Sequence, residues 1–190
     1  MQQAREALAG KWGMVLGVSA AYLVIMFVMS SFKGFWSVVP FLFAGPLEIG
    51  VSLFALSVSR NKEAHLKQIF EGFENFGRSF AAYLLVVVLV LLWAILLIIP
   101  GVIAALAYSQ TFFILAEDEK IGALDALRKS KKMMSGYKWQ YFCLGLRFIG
   151  WFLLSVLTLG IGFLWFIPYM QVTTAKFYDE VKKCSEVSVA

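Results

Sequence analysis

Charged and metal-ligating side chains are scarce in this chain. Only 15% of its 190 residues are charged, and it contains one histidine and two cysteines. His65 has no second histidine or cysteine at ligand spacing, which predicts that no metal is bound. Cys143 lies in an apolar segment and Cys184 in a basic tail, so we predict no disulfide. The sequence also lacks a phosphate-binding glycine loop and the HExxH and GxSxG patterns. We therefore expect no catalytic site, no metal and no cofactor.

Apolar residues make up most of the sequence. They account for 61% of it, with a mean hydropathy of +0.78, which exceeds what a soluble domain of this length can bury. The charges cluster between long apolar runs, whereas a β-barrel would alternate every second residue. The first apolar run, 12–32, is longer than the roughly 7–15 residues of a signal-peptide core. We predict an all-α membrane protein forming a single integral membrane domain over 1–190.

The length of the apolar runs predicts how the chain crosses the membrane. A continuous helix over 80–116 would be roughly 55 Å long, against a hydrocarbon core of about 30 Å. Pro100-Gly101 is predicted to divide it into an outward and a shorter return limb. The same reasoning gives a six-segment helical bundle with both termini cytoplasmic, over 12–32, 40–59, 80–99, 102–116, 139–159 and 163–179. In this threading 15 of the 17 lysines and arginines lie on the inside, as the positive-inside rule favours.

A long limb followed by a shorter one occurs three times, with a period of about 60 residues. Breaks at the far face are predicted at Gly45-Pro46, Pro100-Gly101 and Gly160-Ile161-Gly162. Hydropathy alone can imitate a repeat, so three tandem hairpins and six unrelated segments both remain open. Between the hairpins, apolar residues recur at intervals of three and four, which predicts amphipathic helices on the cytoplasmic face over 62–76 and 121–135.

Two charged residues fall inside the predicted segments, Glu48 and Arg147. Their similar depth suggests an ion pair, since an unpaired charge in hydrocarbon costs several kcal/mol. The alternative is that Arg147 extends to the inner face while Glu48 stays wet or protonated. Gln110 and Gln171 complete this candidate intramembrane polar site, or they bond neighbouring helices to each other.

A basic run follows the fourth segment. Arg128, Lys129, Lys131 and Lys132 form a candidate surface for anionic lipid head groups, or they act only as an orientation signal. No aromatic stacking platform accompanies them, so we expect no nucleic-acid partner. The expected partners are membrane lipids, anionic ones included, and either another membrane protein or a second copy of this chain.

Several short motifs of the second half carry a family resemblance. They are Ile99-Pro100-Gly101, Tyr108, "ALRKSKKMMSG" at 126–136, "FIGW" at 148–151, "LTLGIG" at 157–162, Pro168-Tyr169 and Phe177-Tyr178. Through them, residues 98–181 resemble a family of uncharacterised bacterial integral membrane proteins, common in Gram-positive bacteria and described as a domain of unknown function. A weaker likeness extends over the first half through "GPLEIG" at 45–50. The resemblance implies a multi-pass protein of the bacterial cytoplasmic membrane, and it brings no activity.

Two functions fit these observations. The first is a non-enzymatic scaffold or envelope-homeostasis factor that interacts with lipid or partner proteins. The alternative is a small transporter or lipid-handling protein that uses a polar intramembrane site, as many transporters do. A water-accessible cavity that reaches Glu48, Arg147, Gln110 and Gln171 would favour the alternative, and a packed interior would favour the scaffold.

Overall fold

The structure, a computed structural model, describes residues 12–30, 38–62, 64–65, 67–158, 160 and 162–187. Within these ranges all regular secondary structure is helical. The helices are α1 (Trp12–Ser30), α2 (Val38–Ser59), α3 (Gln68–Glu71), α4 (Phe76–Leu96), α5 (Ile98–Tyr108), α6 (Thr111–Glu117), α7 (Ala123–Met133), α8 (Lys138–Leu157) and α9 (Phe163–Val187).

Among the described residues, four stretches are long and apolar enough to cross a membrane: Pro40–Ser59, Phe76–Leu96, Ile98–Glu117 and Lys138–Leu157. In the second and fourth, only 11% of the apolar window is buried inside the molecule. Continuous apolar surface of this extent is stable against lipid and unstable against water. The predicted class, an all-α membrane protein, is confirmed at this level, and the six crossings remain a prediction.

The predicted break at Gly45-Pro46 is wrong, because α2 continues through Pro46 from Val38 to Ser59. Gly45 instead allows α4 to approach α2 closely. A Cβ at Gly45 would lie 2.6 Å from the carbonyl oxygen of Ser79 and 3.0 Å from the Cβ of Tyr83. The glycine therefore serves a helix contact and not a turn.

The second break lies three residues before its predicted position. Leu97 has extended backbone (φ −163°, ψ 139°) and separates α4 from α5. Pro100 lies in the first turn of α5, where amide groups have no partner within the helix, so its missing N–H costs little. Gly101 packs against α4, since a Cβ there would lie 2.7 Å from the Cα of Ala94. The return limb has a second interruption at 109–110, between α5 and α6.

The third break lies between α8 and α9, as predicted. Gly160 has a φ of +92°, a conformation that favours glycine. Gly162 packs against α8, because a Cβ there would lie 2.7 Å from the Cα of Ser155. In each of these two hairpins, the packed glycine lies seven residues after the residue that it contacts: Gly101 after Ala94, and Gly162 after Ser155. The second pair lies 61 residues after the first in the chain.

The stretch 62–76 does not form one continuous helix. Its described residues contain the single-turn helix α3, followed by turns from Gly72 to Asn75. Ile69 is fully buried, and its carbonyl oxygen occupies the space that a Cβ on Gly50 of α2 would need. Leu66, one of the apolar residues behind the prediction, lies outside the described residues. The segment therefore packs along α2.

The core has two apolar clusters, and α2 contributes to both. One joins α2 to α1, α8 and α9 through Val18, Leu47, Phe54, Phe148, Phe166 and Val172. The other joins α2 to α4, α6, α7 and α9 through Leu56, Ala82, Ile114, Leu115, Met133 and Tyr178. Because α2 and α9 both contribute to the two clusters, these two helices link them within the described part of the chain.

Candidate functional site

Glu48 of α2 lies among polar groups from several helices. Its side chain is half-buried and close enough to the hydroxyls of Tyr22 on α1 and Tyr141 on α8 to interact with them electrostatically. The Tyr141 hydroxyl also lies beside Ser109 and Thr174. The two tyrosines were not among the predicted site residues, although a phenolic hydroxyl inside an apolar helix is a signal that could have found them.

The two predicted glutamines join this region by different routes. Gln110 is fully buried, and its Nε2 donates to Ser109 Oγ at 3.1 Å, while its Oε1 has no hydrogen-bond partner among the described residues. Gln171 and Tyr22 both line a cavity of about 20 Å³, which is room for about one water. Glu48, Gln110 and Gln171 thus lie in one region of the helical core, together with Tyr22, Tyr141 and Ser109.

Arg147 is not part of this site, and the predicted ion pair with Glu48 is not formed. Arg147 is exposed on α8, and no ion pair among the described residues includes it. Its neighbour Phe148 is one of the residues that α8 buries, with its ring 5.9 Å from that of Phe166 and 6.3 Å from that of Tyr169. Adjacent residues of a helix point about 100° apart, so burial of Phe148 turns Arg147 outward.

The four basic residues predicted to bind lipid lie on one exposed side of α7. The opposite side of α7 is buried, through Ala126, Leu127, Ser130 and Met133, and Ser130 Oγ donates to the carbonyl of Ala107 at 2.8 Å. Arg128, Lys129, Lys131 and Lys132 are all exposed. Arg128 has an acidic neighbour, Asp125, at 3.5 Å. The packing of α7 thus presents a row of cations away from the helical core.

The strongest electrostatic feature was not predicted from the sequence. Arg60, after α2, donates from Nη2 to Glu117 Oε1 at 2.7 Å and to Asp179 Oδ1 at 2.6 Å. Lys182 Nζ donates to Glu117 Oε2 at 2.7 Å. We call Arg60, Glu117, Asp179 and Lys182 the four-charge cluster; their side chains are 18–29% exposed. Two positive and two negative charges balance within it, so these half-buried groups compensate one another.

Neutral residues complete the four-charge cluster. The Tyr178 hydroxyl donates to Glu117 Oε2 at 2.7 Å, and Ser59 Oγ donates to Asp179 Oδ2 at 3.2 Å. The hydrogen bond to Asp179 raises the pKa of Arg60 above its ordinary value, against the effect of burial, and the bond to Glu117 acts in the same direction. Arg60 is therefore a permanent cation that fixes the ends of α2 and α6 to α9.

Arg78 makes a related connection near the start of α4. Its Nη2 donates to the carbonyl of Leu115 at 2.8 Å, and its Nη1 donates to the carbonyl of Asp118 at 3.1 Å. A cation at these carbonyls satisfies groups that have no partner within α6 and opposes the negative end of the helix dipole. Arg78 Nη1 also donates to the carbonyl of Ile121, just before α7. The ends of α2 and α6 and the starts of α4 and α7 thus meet at one end of the molecule, which we call the basic end and which includes the four basic residues of α7.

A larger groove opens between α8 and α9, with a volume of about 450 Å³. It is lined mainly by aromatic and aliphatic side chains, among them Trp151, Leu154, Trp165, Phe166 and Tyr169. The hydroxyls of Ser155 and Thr158 in its wall already donate to backbone carbonyls, at 2.8 and 2.9 Å. These two hydroxyls therefore already have hydrogen-bond acceptors within the protein, and the groove is suited to apolar contacts.

Comparison with known proteins adds a family and no activity. No curated protein and no solved structure matches the chain. The resemblance drawn from the motifs of the second half is confirmed at the level of a family of unknown function, for the segment in which all of those motifs lie: residues 94–185 match the family described as "Protein of unknown function (DUF975)". The bacterial origin that the resemblance implies stays a prediction.

Proposed function

We propose that this chain is a non-enzymatic integral membrane protein that acts as a scaffold or envelope-homeostasis factor and interacts with lipid through its basic end. The observation that carries the proposal is the placement of α7. Its apolar side is buried against the other helices, while Arg128, Lys129, Lys131 and Lys132 are all exposed. Each base near an anionic membrane surface contributes about 1 kcal/mol of attraction.

The rigidity of the basic end supports a scaffold. The four-charge cluster and Arg78 tie α2, α4, α6 and α9 together through hydrogen bonds of 2.6–3.1 Å. Arg78 Nη1 also donates to the carbonyl of Ile121, two residues before α7, so the network reaches the helix that carries the basic residues. A fixed arrangement of these residues favours repeated binding of one kind of partner. The partner is an anionic membrane surface, with another membrane protein or a second copy of the chain as a further binding partner.

The proposed setting is the bacterial cytoplasmic membrane, with the basic end and both termini in the cytoplasm. Support comes from the positive-inside rule and from the gathering of the ends of α2 and α6 and the start of α4 at one end. The equal spacing of the Gly101 and Gly162 contacts supports an origin of the second and third hairpins as tandem repeats.

Lipid analysis of the protein extracted with its surrounding membrane tests the proposal. The wild-type chain should carry a higher fraction of anionic phospholipid than the bulk membrane. The variant Arg128→Gln/Lys129→Gln/Lys132→Gln should lose part of this enrichment, because three exposed cations are removed. A wild-type lipid shell with the composition of the bulk membrane contradicts the proposal.

A second candidate, a small transporter, is favoured by one observation. Glu48 and the unpartnered Oε1 of Gln110 lie inside the helical part of the molecule, among the hydroxyls of Tyr22 and Tyr141. Ionisable residues within membrane helices often mark a substrate path. Water accessibility of a cysteine at position 48, measured by labelling from either side, distinguishes the two. Labelling favours transport, and protection from both sides favours the scaffold.

A further inference from the structure

A narrow apolar groove along α5 ends at two lysines. Its wall is formed by Trp93, Pro100, Ile103, Ala104 and Tyr108, and its volume is about 170 Å³. Lys131 and Lys138 complete its lining. We call this the α5 groove. It is smaller than the roughly 300–1,000 Å³ pockets that enclose soluble ligands, so it fits a single extended chain better than a compact molecule.

The lysines lie at one end of the α5 groove, and this follows from hydrogen bonding. Ser130 Oγ donates to the carbonyl of Ala107 at 2.8 Å, which places Lys131 beside the last turn of α5. Pro100 belongs to the first turn of α5, and the adjacent Gly101 touches Ala94, the neighbour of Trp93. The groove therefore runs from two cations to an apolar end near Trp93. From Pro100 to Tyr108 this is about 12 Å along the helix axis.

Neither lysine is neutralised by the protein. No ion pair among the described residues includes Lys131 or Lys138. Lys138 begins α8, and the turn before it contains Gly136 with a φ of +89°, after which α8 packs beside α5. Two cations from separate helices thus converge above an apolar channel, without an acidic partner.

We propose that the α5 groove is a binding site for an anionic phospholipid, whose phosphate is held by Lys131 and Lys138 and whose acyl chain lies along α5 toward Trp93. Basic pockets between membrane helices on the cytoplasmic side are suited to such head groups, and a lysine ammonium binds phosphate as a point charge. This binding site depends on the lipid interaction proposed above and assigns that interaction to a specific groove. Of the four basic residues of α7, only Lys131 belongs to the site, and its companion is Lys138 of α8.

The first test measures the lipid preference of purified protein reconstituted in phosphatidylcholine with increasing phosphatidylglycerol. We expect Lys131→Gln/Lys138→Gln to reduce the preference for phosphatidylglycerol about 30-fold, since each base near the head groups contributes about fivefold. The matched control, Lys129→Gln/Lys132→Gln, removes the same charge from residues outside the groove and should reduce the preference several-fold less, because its two cations attract the membrane surface without converging on one phosphate. Equal losses in the two variants would overturn the site and leave the general lipid interaction standing. A wild-type protein without any preference would contradict the proposed function as well.

The second test uses unaltered lysines, so it holds even where the double variant fails to fold. Trp93 lies at the apolar end of the groove, and a brominated acyl chain bound there should quench its fluorescence. The Trp93 contribution is the difference between wild type and Trp93→Phe. It should be quenched several-fold more strongly by brominated phosphatidylglycerol than by brominated phosphatidylcholine at equal bromine content. Equal quenching by the two lipids would show that Trp93 meets only bulk membrane and would overturn the proposal.

Discussion

The pair of Arg60 and Asp179 gives the most direct energetic test of the four-charge cluster. Arg60 donates from Nη2 and Nε to the Asp179 carboxylate at 2.6 and 3.1 Å, and the two side chains are 29% and 18% exposed. Hydrogen bonds to charged groups contribute about 1.5–3 kcal/mol, and residual solvent contact weakens them. A double-mutant cycle of Arg60→Gln, Asp179→Asn and the double variant should therefore give a coupling energy of about 2 kcal/mol.

The assay is reversible unfolding of the purified protein in mixed micelles, with the free energy of unfolding measured for all four chains. A second cycle, on Asp125→Asn and Arg128→Gln, provides the matched control. That pair is 3.5 Å apart, with side chains 66% and 78% exposed, so it should couple by less than about 0.5 kcal/mol. Equal coupling energies in the two cycles would refute the reasoning that burial gives the four-charge cluster its strength.

Three further substitutions test separate contacts in the same unfolding assay. Gly101→Ala should cost about 1–3 kcal/mol, because its Cβ would lie 2.7 Å from a backbone atom of α4; Gly145→Ala, which has open space, should change stability by less than about 1 kcal/mol. Ser130→Ala should cost about 1 kcal/mol and speed amide hydrogen exchange in α7, since it removes a buried hydrogen bond of 2.8 Å; unchanged exchange would contradict this. Arg147→Gln should stay within about 0.5 kcal/mol of wild type, because the side chain is exposed and forms no ion pair; a loss as large as that of Arg60→Gln would restore the predicted buried pair.

The positions of two long helices could be predicted closely from hydropathy. The predicted segments 80–99 and 139–159 correspond to α4, Phe76–Leu96, and α8, Lys138–Leu157. Long uncharged runs bounded by glycine and basic residues carry enough information to place such helices. The exact position of the turn between α4 and α5 could not be predicted, because proline is tolerated in the first turn of a helix as well as between helices.

Gly45-Pro46 illustrates a limit of local pattern. The same dipeptide chemistry that marks a turn also permits close packing, and only the position of α4 beside Gly45 decides between them. The prediction of one continuous helix over 62–76 was wrong for a related reason. Its apolar residues matched helical spacing, but burial of Ile69 against α2 replaced a long surface helix with a single turn and a series of further turns.

The four-charge cluster was beyond sequence reasoning because its members are far apart in the chain. Arg60 pairs with residues 57 and 119 positions away. Each of these charges lies at or near a predicted segment end, where a solvated charge is the ordinary expectation. Knowledge that α2 and α6 both end beside α9 was required to join them.

Sidedness is the claim on which the proposed lipid interaction depends most directly. It can be measured by single thiols in a chain with Cys143→Ser and Cys184→Ser, using Lys132→Cys at the basic end and Thr158→Cys after α8. Both positions are exposed, and α8 separates them by about 30 Å. A membrane-impermeant maleimide should label position 158 in intact cells and position 132 only after the membrane is opened. Labelling of position 132 in intact cells would contradict a cytoplasmic basic end.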